Sequence, residues 1–131
     1  MNDQRRFGVF GLASLLMALV FLSFAAAQYN DPDPERWMAM YGSAAVVSGL
    51  AAFRPFPAWL PAAAVALVTL AWAVSLFLGV FGHSVAWGEV FATTHMINSD
   101  VEETRETLGL VIVAGWTGVI AVRGWRGRRA A

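Results

Sequence analysis

The chain contains no cysteine and no lysine. Without cysteine there is no disulfide, no thiol redox centre and no thiolate metal site. Without lysine, Schiff-base chemistry and a catalytic ammonium are excluded. Charge of either sign is scarce, at 14% of residues, against 58% hydrophobic, and mean hydropathy is +0.58. A chain of 131 residues is one domain at most, and this composition is too apolar for a small domain with a solvated exterior. The solvent it is built for is lipid.

What charge there is falls into blocks. All nine basic residues are arginine, six of them at the two ends, while every acidic residue but Asp3 is internal, so a net charge of zero hides a strong segregation. The arginine tail is short and borders an apolar run rather than forming a basic face, so no nucleic-acid partner is expected.

Two polar stretches organise the rest: residues 28–41 (QYNDPDPERWMAMY) and residues 100–110 (DVEETRETLGL). Before the first lies an uncharged apolar run over residues 7–27, at 1.5 Å rise about 31 Å long, enough to cross a bilayer core. Arg5, Arg6 and the Ala25-Ala26-Ala27 triplet imitate a signal peptide, but the run exceeds the usual hydrophobic region of one and is read as a retained span. Pro32 and Pro34 hold Asp31 and Asp33 in extended or turn backbone. Asp33 then reads as the N-cap of a helix with Pro34 at its first position and Glu35 favoured by the dipole. That helix is the second span, about 34–53, with Trp37 and Tyr41 placed where amphipathic rings favour the membrane interface. Gly42, Ala45, Gly49 and Ala52 give it a smooth stripe for close helix approach, which predicts disruption by bulk at Gly49 or at Gly118 of the fourth span.

Residues 54–61 (RPFPAWLP) form a tight connection into a third span, about 60–81, with Trp72 near its middle. Residues 83–99 are too polar to span and too apolar for a free loop, and are read as an interfacial segment carrying both histidines, His83 and His95. Ser99 with Glu102 fits a capping box, opening a fourth span of about 101–122 that ends in Arg123, Arg126, Arg128 and Arg129. The predicted fold is therefore all-α, a polytopic bundle of four transmembrane helices in a single membrane domain. Arginines bordering the spans place both termini in the cytoplasm and both acidic connections outside, the expected location being the plasma (inner) membrane.

Asn30, Asp31, Asp33, Trp37 and Tyr41, followed at a distance by Glu102, Glu103, Thr104, Arg105, Glu106 and the Gly109-Leu110-Val111-Ile112 run, resemble the transmembrane protein 220 family. The likeness covers most of the chain. It implies a small four-helix membrane protein and brings with it no established activity or catalytic residues.

The acidic residues have two readings. In one, Asn30, Asp31, Asp33, Glu102, Glu103 and Glu106, with His95, form an outer cation site, and Arg36 and Arg105 are charge partners. Oxygen ligands of this kind suit a hard divalent cation, a histidine would shift the preference towards Zn²⁺, Mn²⁺ or Fe²⁺, and bound water would serve hydrolysis. In the other, the acids cap helices and complement their dipoles with no ligand. Glu106 is the best single candidate because it lies where lipid begins and needs a partner. His83 and His95 lack the spacing of a zinc motif, and no nucleophile frame surrounds Ser84, Ser99, Thr93 or Thr94, so no catalytic residue is assigned. The leading expectation is a non-enzymatic accessory or assembly subunit acting through helix packing, in contact with lipid and other membrane subunits. The alternative is a cation-binding protein or metal-dependent enzyme using the acidic rim.

Overall fold

The computed structural model describes residues 8–54, 57–80 and 99–130. They form four α-helices: α1 (Val9–Ala27), α2 (Pro34–Phe53), α3 (Trp59–Val80) and α4 (Ser99–Ala130). A single 3₁₀ turn, Gln28–Asn30, joins α1 to α2. Helices adjacent in sequence pair most extensively, α1 with α2 and α3 with α4, and α2 touches both members of the second pair. Two interior clusters mark the ends of the bundle. At one end Phe21 and Ala25 meet Trp37, Tyr41, Ala73, Leu110 and Val113. At the other, Val47 and Ala51 meet Ala58, Ala62 and Ile120, with Phe10 and Trp116 packed alongside.

The exterior identifies the solvent. Leu12, Leu16, Leu19 and Leu22 on α1, Leu67, Val68, Leu70 and Val74 on α3, and Val111, Ile112 and Val119 on α4 are all exposed. Such a belt would be untenable in water and matches hydrocarbon. Among the described residues, three segments are long and apolar enough to cross a membrane: Val9–Asn30, which is α1 with the 3₁₀ turn, Trp59–Leu78 in α3 and Thr104–Ala130 in α4. The fourth expected crossing, α2, does not meet that standard. Its first turns carry Glu35 and Arg36, and its middle is glycine, alanine and serine. The physical reason is its place in the bundle. Trp37, Met40, Tyr41, Ala44, Ala45, Val47, Ser48 and Ala51 are buried against protein, so α2 needs less lipid-facing apolar surface than its neighbours.

One boundary expectation changes. The fourth helix does not stop near residue 122 but continues through the arginine cluster to Ala130. Ser99 is its first described residue; residues 81–98, including His83, Glu89 and His95, lie outside the described residues.

The small-residue stripe also behaves differently from its sequence reading. Among the described residues, a β-carbon added at Gly42, Gly49, Gly115 or Gly118 would meet nothing within 4 Å, so a single methyl is accommodated at each. The expected disruption at Gly49 or Gly118 would need a larger side chain. Gly109 is the position under contact, with the Tyr41 hydroxyl against it.

Candidate functional site

The polar groups of best-defined geometry gather where α1 turns into α2. The chain leaves α1 through Gln28, whose N–H bonds the carbonyls of Ala25 and Ala26, and the Asp31 N–H closes the 3₁₀ turn on Gln28 (2.9 Å). Asp31 then folds back on the chain: its Oδ1 accepts the Asp33 N–H at 3.2 Å, the Asx turn for which this residue type is suited. The helix begins at Pro34, with proline at the first position and Glu35 in the first turn. Asp33 occupies the N-cap position but makes no side-chain capping bond. Its carboxylate is instead paired with the Arg36 guanidinium, three residues on. The pair is exposed, 62% and 45% by side chain, so its worth is the small one of a surface ion pair, at most about 1 kcal/mol.

The two aspartates differ in character. Burial is the main cause pushing the Asp31 carboxyl above the ordinary carboxylate range, helped by its hydrogen bond to the Asp33 side chain. Asp33 is held below that range, first by the same hydrogen bond and further by Arg36. When this pair takes up a proton Asp31 therefore takes it before Asp33, whose negative charge faces Arg36.

Beneath this turn lies an aromatic stack. The Trp37 ring lies on that of Trp72 with centroids 4.5 Å apart and planes at 26°. The Arg36 guanidinium sits 5.1 Å from the Trp72 centroid. Tyr41 is tilted against Trp37 (6.4 Å) and takes Phe24 of α1 edge-on (5.4 Å, 76°). Trp37 and Tyr41 are 2% and 6% exposed, so they are internal wedges among α1, α2 and α3 rather than interface anchors. Trp72, expected at mid-span, lies level with the first turn of α2. Among the described residues, Trp37 Nε1 and Ser14 Oγ are buried without a hydrogen-bond partner.

The other sequence candidates lie in the turn and along the start of α4. Asn30 is exposed and Asp31 half-buried in the turn. Glu102 and Glu103 are on the first turns of α4, where the structure describes the backbone alone. Arg105 and Glu106 are half-buried on the same helix, and the Glu106 charge acts on the Tyr41 hydroxyl. Arg36 is engaged by Asp33 and Trp72. Among the described residues, no three His, Asp or Glu side chains converge as a metal site would require.

One polar contact across helices could not be read from the sequence. Trp116 of α4 donates its indole N–H to Ser48 of α2 at 3.2 Å, while Ser48 donates to the Ala44 carbonyl at 2.7 Å. Thr69 and Thr117 likewise return their hydroxyls to carbonyls four residues earlier, Val65 and Val113. These four side chains are thus satisfied inside the bundle, as apolar surroundings demand, in contrast to Trp37 Nε1 and Ser14 Oγ.

Residues 20–122, from the second half of α1 to the end of the apolar part of α4, match transmembrane family 220, helix. The chain belongs to transmembrane family 220. The matched region contains both sequence stretches that carried the resemblance, the aspartate turn and the glutamate-rich start of α4. No solved structure matches the chain. As a family 220 member it is a small, multi-pass helical membrane protein, and what its described interior provides is helix packing.

Proposed function

We propose that the protein is an accessory or assembly subunit that offers a preformed helical surface to another membrane protein. The observation that carries this reading is the groove between α2 and α3. These helices are neighbours in sequence, yet their contact is sparse and leaves a space of about 300 Å³ bordered by Ala39, Met40, Ser43, Val65, Val68 and Trp72. Small residues on its α2 side let another backbone come close. Its apolar character suits a helix of a partner subunit, with lipid filling it otherwise.

In this reading α2 is a fourth crossing shielded by its neighbours: it has 20 residues, about 30 Å of helix, and runs beside α1 from one interior cluster to the other. Both termini are cytoplasmic, the aspartate turn is outside, and the membrane is the plasma membrane. Support comes from arginine counts alone.

The test is the size of the complex extracted from the native membrane in mild detergent. Filling the groove with Ala39→Leu and Ser43→Leu is expected to shift the protein to its monomeric size while its melting temperature changes by no more than a few degrees. Glu106→Gln should leave the complex intact. An unchanged complex in the filled variant sinks the reading. The cation alternative would have to release Asp33 from Arg36 and draw His95, Glu102, Glu103 and Glu106 towards Asn30 and Asp31. Metal retained by chelator-free protein and lost in Asp31→Asn is its signature.

A further inference from the structure

The end of the bundle opposite the aspartate turn carries a collar of arginines whose arrangement differs from that of Arg36. Arg54, Arg123, Arg126, Arg128 and Arg129 are all exposed, and among the described residues no carboxylate lies at that end. Three of them rest on aromatic faces instead. Arg123 lies 4.2 Å from the Phe10 centroid, Arg129 lies 4.8 Å from that of Trp125, and Arg128 lies 5.7 Å from that of Trp59. These contacts draw on α1, α3 and α4, so the collar is a property of the folded bundle.

A guanidinium on a ring uses its face and leaves its N–H edges free. Those edges match the paired oxygens of a phosphodiester. The stacking also fixes the orientation of a side chain that would otherwise be mobile. The extension of α4 from Arg123 to Ala130 rises about 10 Å, comparable with the headgroup layer on one side of a bilayer. Trp59 and Trp125 lie at this level, the depth that indole rings favour.

We propose that this collar binds the phosphodiester groups of anionic lipids, holding a shell of them around one end of the bundle. The proposal does not depend on a partner subunit or on which leaflet is cytoplasmic. Each basic residue at an anionic surface contributes roughly a fivefold preference, so several acting together give a measurable lipid selectivity.

The test is native mass spectrometry of the full chain in neutral detergent with equal amounts of phosphatidylglycerol and phosphatidylcholine. Wild-type protein is expected to retain the anionic lipid over the zwitterionic one by at least about fivefold, with the preference falling at high salt. The triple variant Arg126→Gln, Arg128→Gln, Arg129→Gln should lower the preference several-fold, leaving the share carried by Arg54 and Arg123, while Arg36→Gln at the other end leaves it unchanged. Helical content by circular dichroism accompanies each variant. Should the triple variant misfold, Arg126→Gln alone, at a position with no ring contact, must still lower the preference. Trp59→Leu, which leaves every charge in place, should weaken it by removing the platform under Arg128, and no change there would overturn the role given to stacking. Equal retention of the two lipids by wild type, an unaltered preference in the triple variant, or displacement of bound lipid by millimolar inorganic phosphate would each overturn the proposal.

Discussion

Replacing Gly109 with alanine is expected to destabilise the bundle by about 1–3 kcal/mol, the usual cost of overpacking a filled interior, and Tyr41→Phe is expected to restore most of that loss. A β-carbon at Gly109 would lie well inside van der Waals contact with the Tyr41 hydroxyl, whereas its next neighbour, the ring carbon Cζ, is at 3.4 Å. Removing the hydroxyl therefore removes the collision. Tyr41 cannot easily swing aside, because Phe24 and Trp37 hold its ring. In water alanine would favour this helix over glycine by about 1 kcal/mol, so a net destabilisation isolates the tertiary contact between α2 and α4. Thermal unfolding in detergent of wild type, the two single variants and the double variant gives the coupling directly. Additive effects would mean that the two helices do not meet at this point.

The second large effect is expected at Trp37. It heads the fully buried side chains by volume, and its ring is shared among Trp72, Tyr41 and the α1 cluster. Trp37→Ala should cost about 3–5 kcal/mol by the scale of large core truncations. The loss here is of van der Waals packing, since lipid supplies no hydrophobic penalty between apolar helices. Trp37→Phe should cost far less. It keeps a ring on Trp72 and removes an indole N–H that is buried without a partner, a liability in apolar surroundings. If the phenylalanine variant were as unstable as the alanine variant, the indole N–H would be making a bond that this account does not assign.

These two residues show where sequence reading ends. The start of α2 at Pro34 was legible because Asp-Pro-Glu acts locally, through proline's fixed φ and the dipole. The destination of the Asp33 carboxylate was not, because capping the helix and pairing with Arg36 are both within its reach. Trp37 and Tyr41 were recognisable as aromatic residues near a helix end, but interface rings and internal wedges have the same sequence signature. Periodicity marked Gly42 and Gly49 as a smooth stripe, yet only the packing of α2 on α4 reveals that Gly109 is the glycine under pressure. Trp116 and Ser48 stand 68 residues apart, and nothing local in either announces their bond. The length of α4 was underestimated because charge marks where lipid ends, whereas arginine is a good helix former and carries the helix onward.

The acidic candidates were legible as a group of residue types. Their assembly was not, since Asp31 and Asp33 are placed by a turn and Glu106 acts across helices on Tyr41. The same ambiguity covered α2. Hydropathy measures preference for lipid, and a helix that faces mostly protein scores low whether or not it crosses the membrane.

Whether α2 crosses the membrane can be measured directly, because the chain has no cysteine. Single cysteines at Asn30, Arg54 and Gly127 would be reacted with a membrane-impermeant maleimide in sealed cells and again after permeabilisation. The account predicts that Asn30→Cys labels in sealed cells, and that Arg54→Cys and Gly127→Cys label only once the membrane is opened. Labelling of Arg54→Cys in sealed cells together with Asn30→Cys would place both ends of α2 on one side and contradict it.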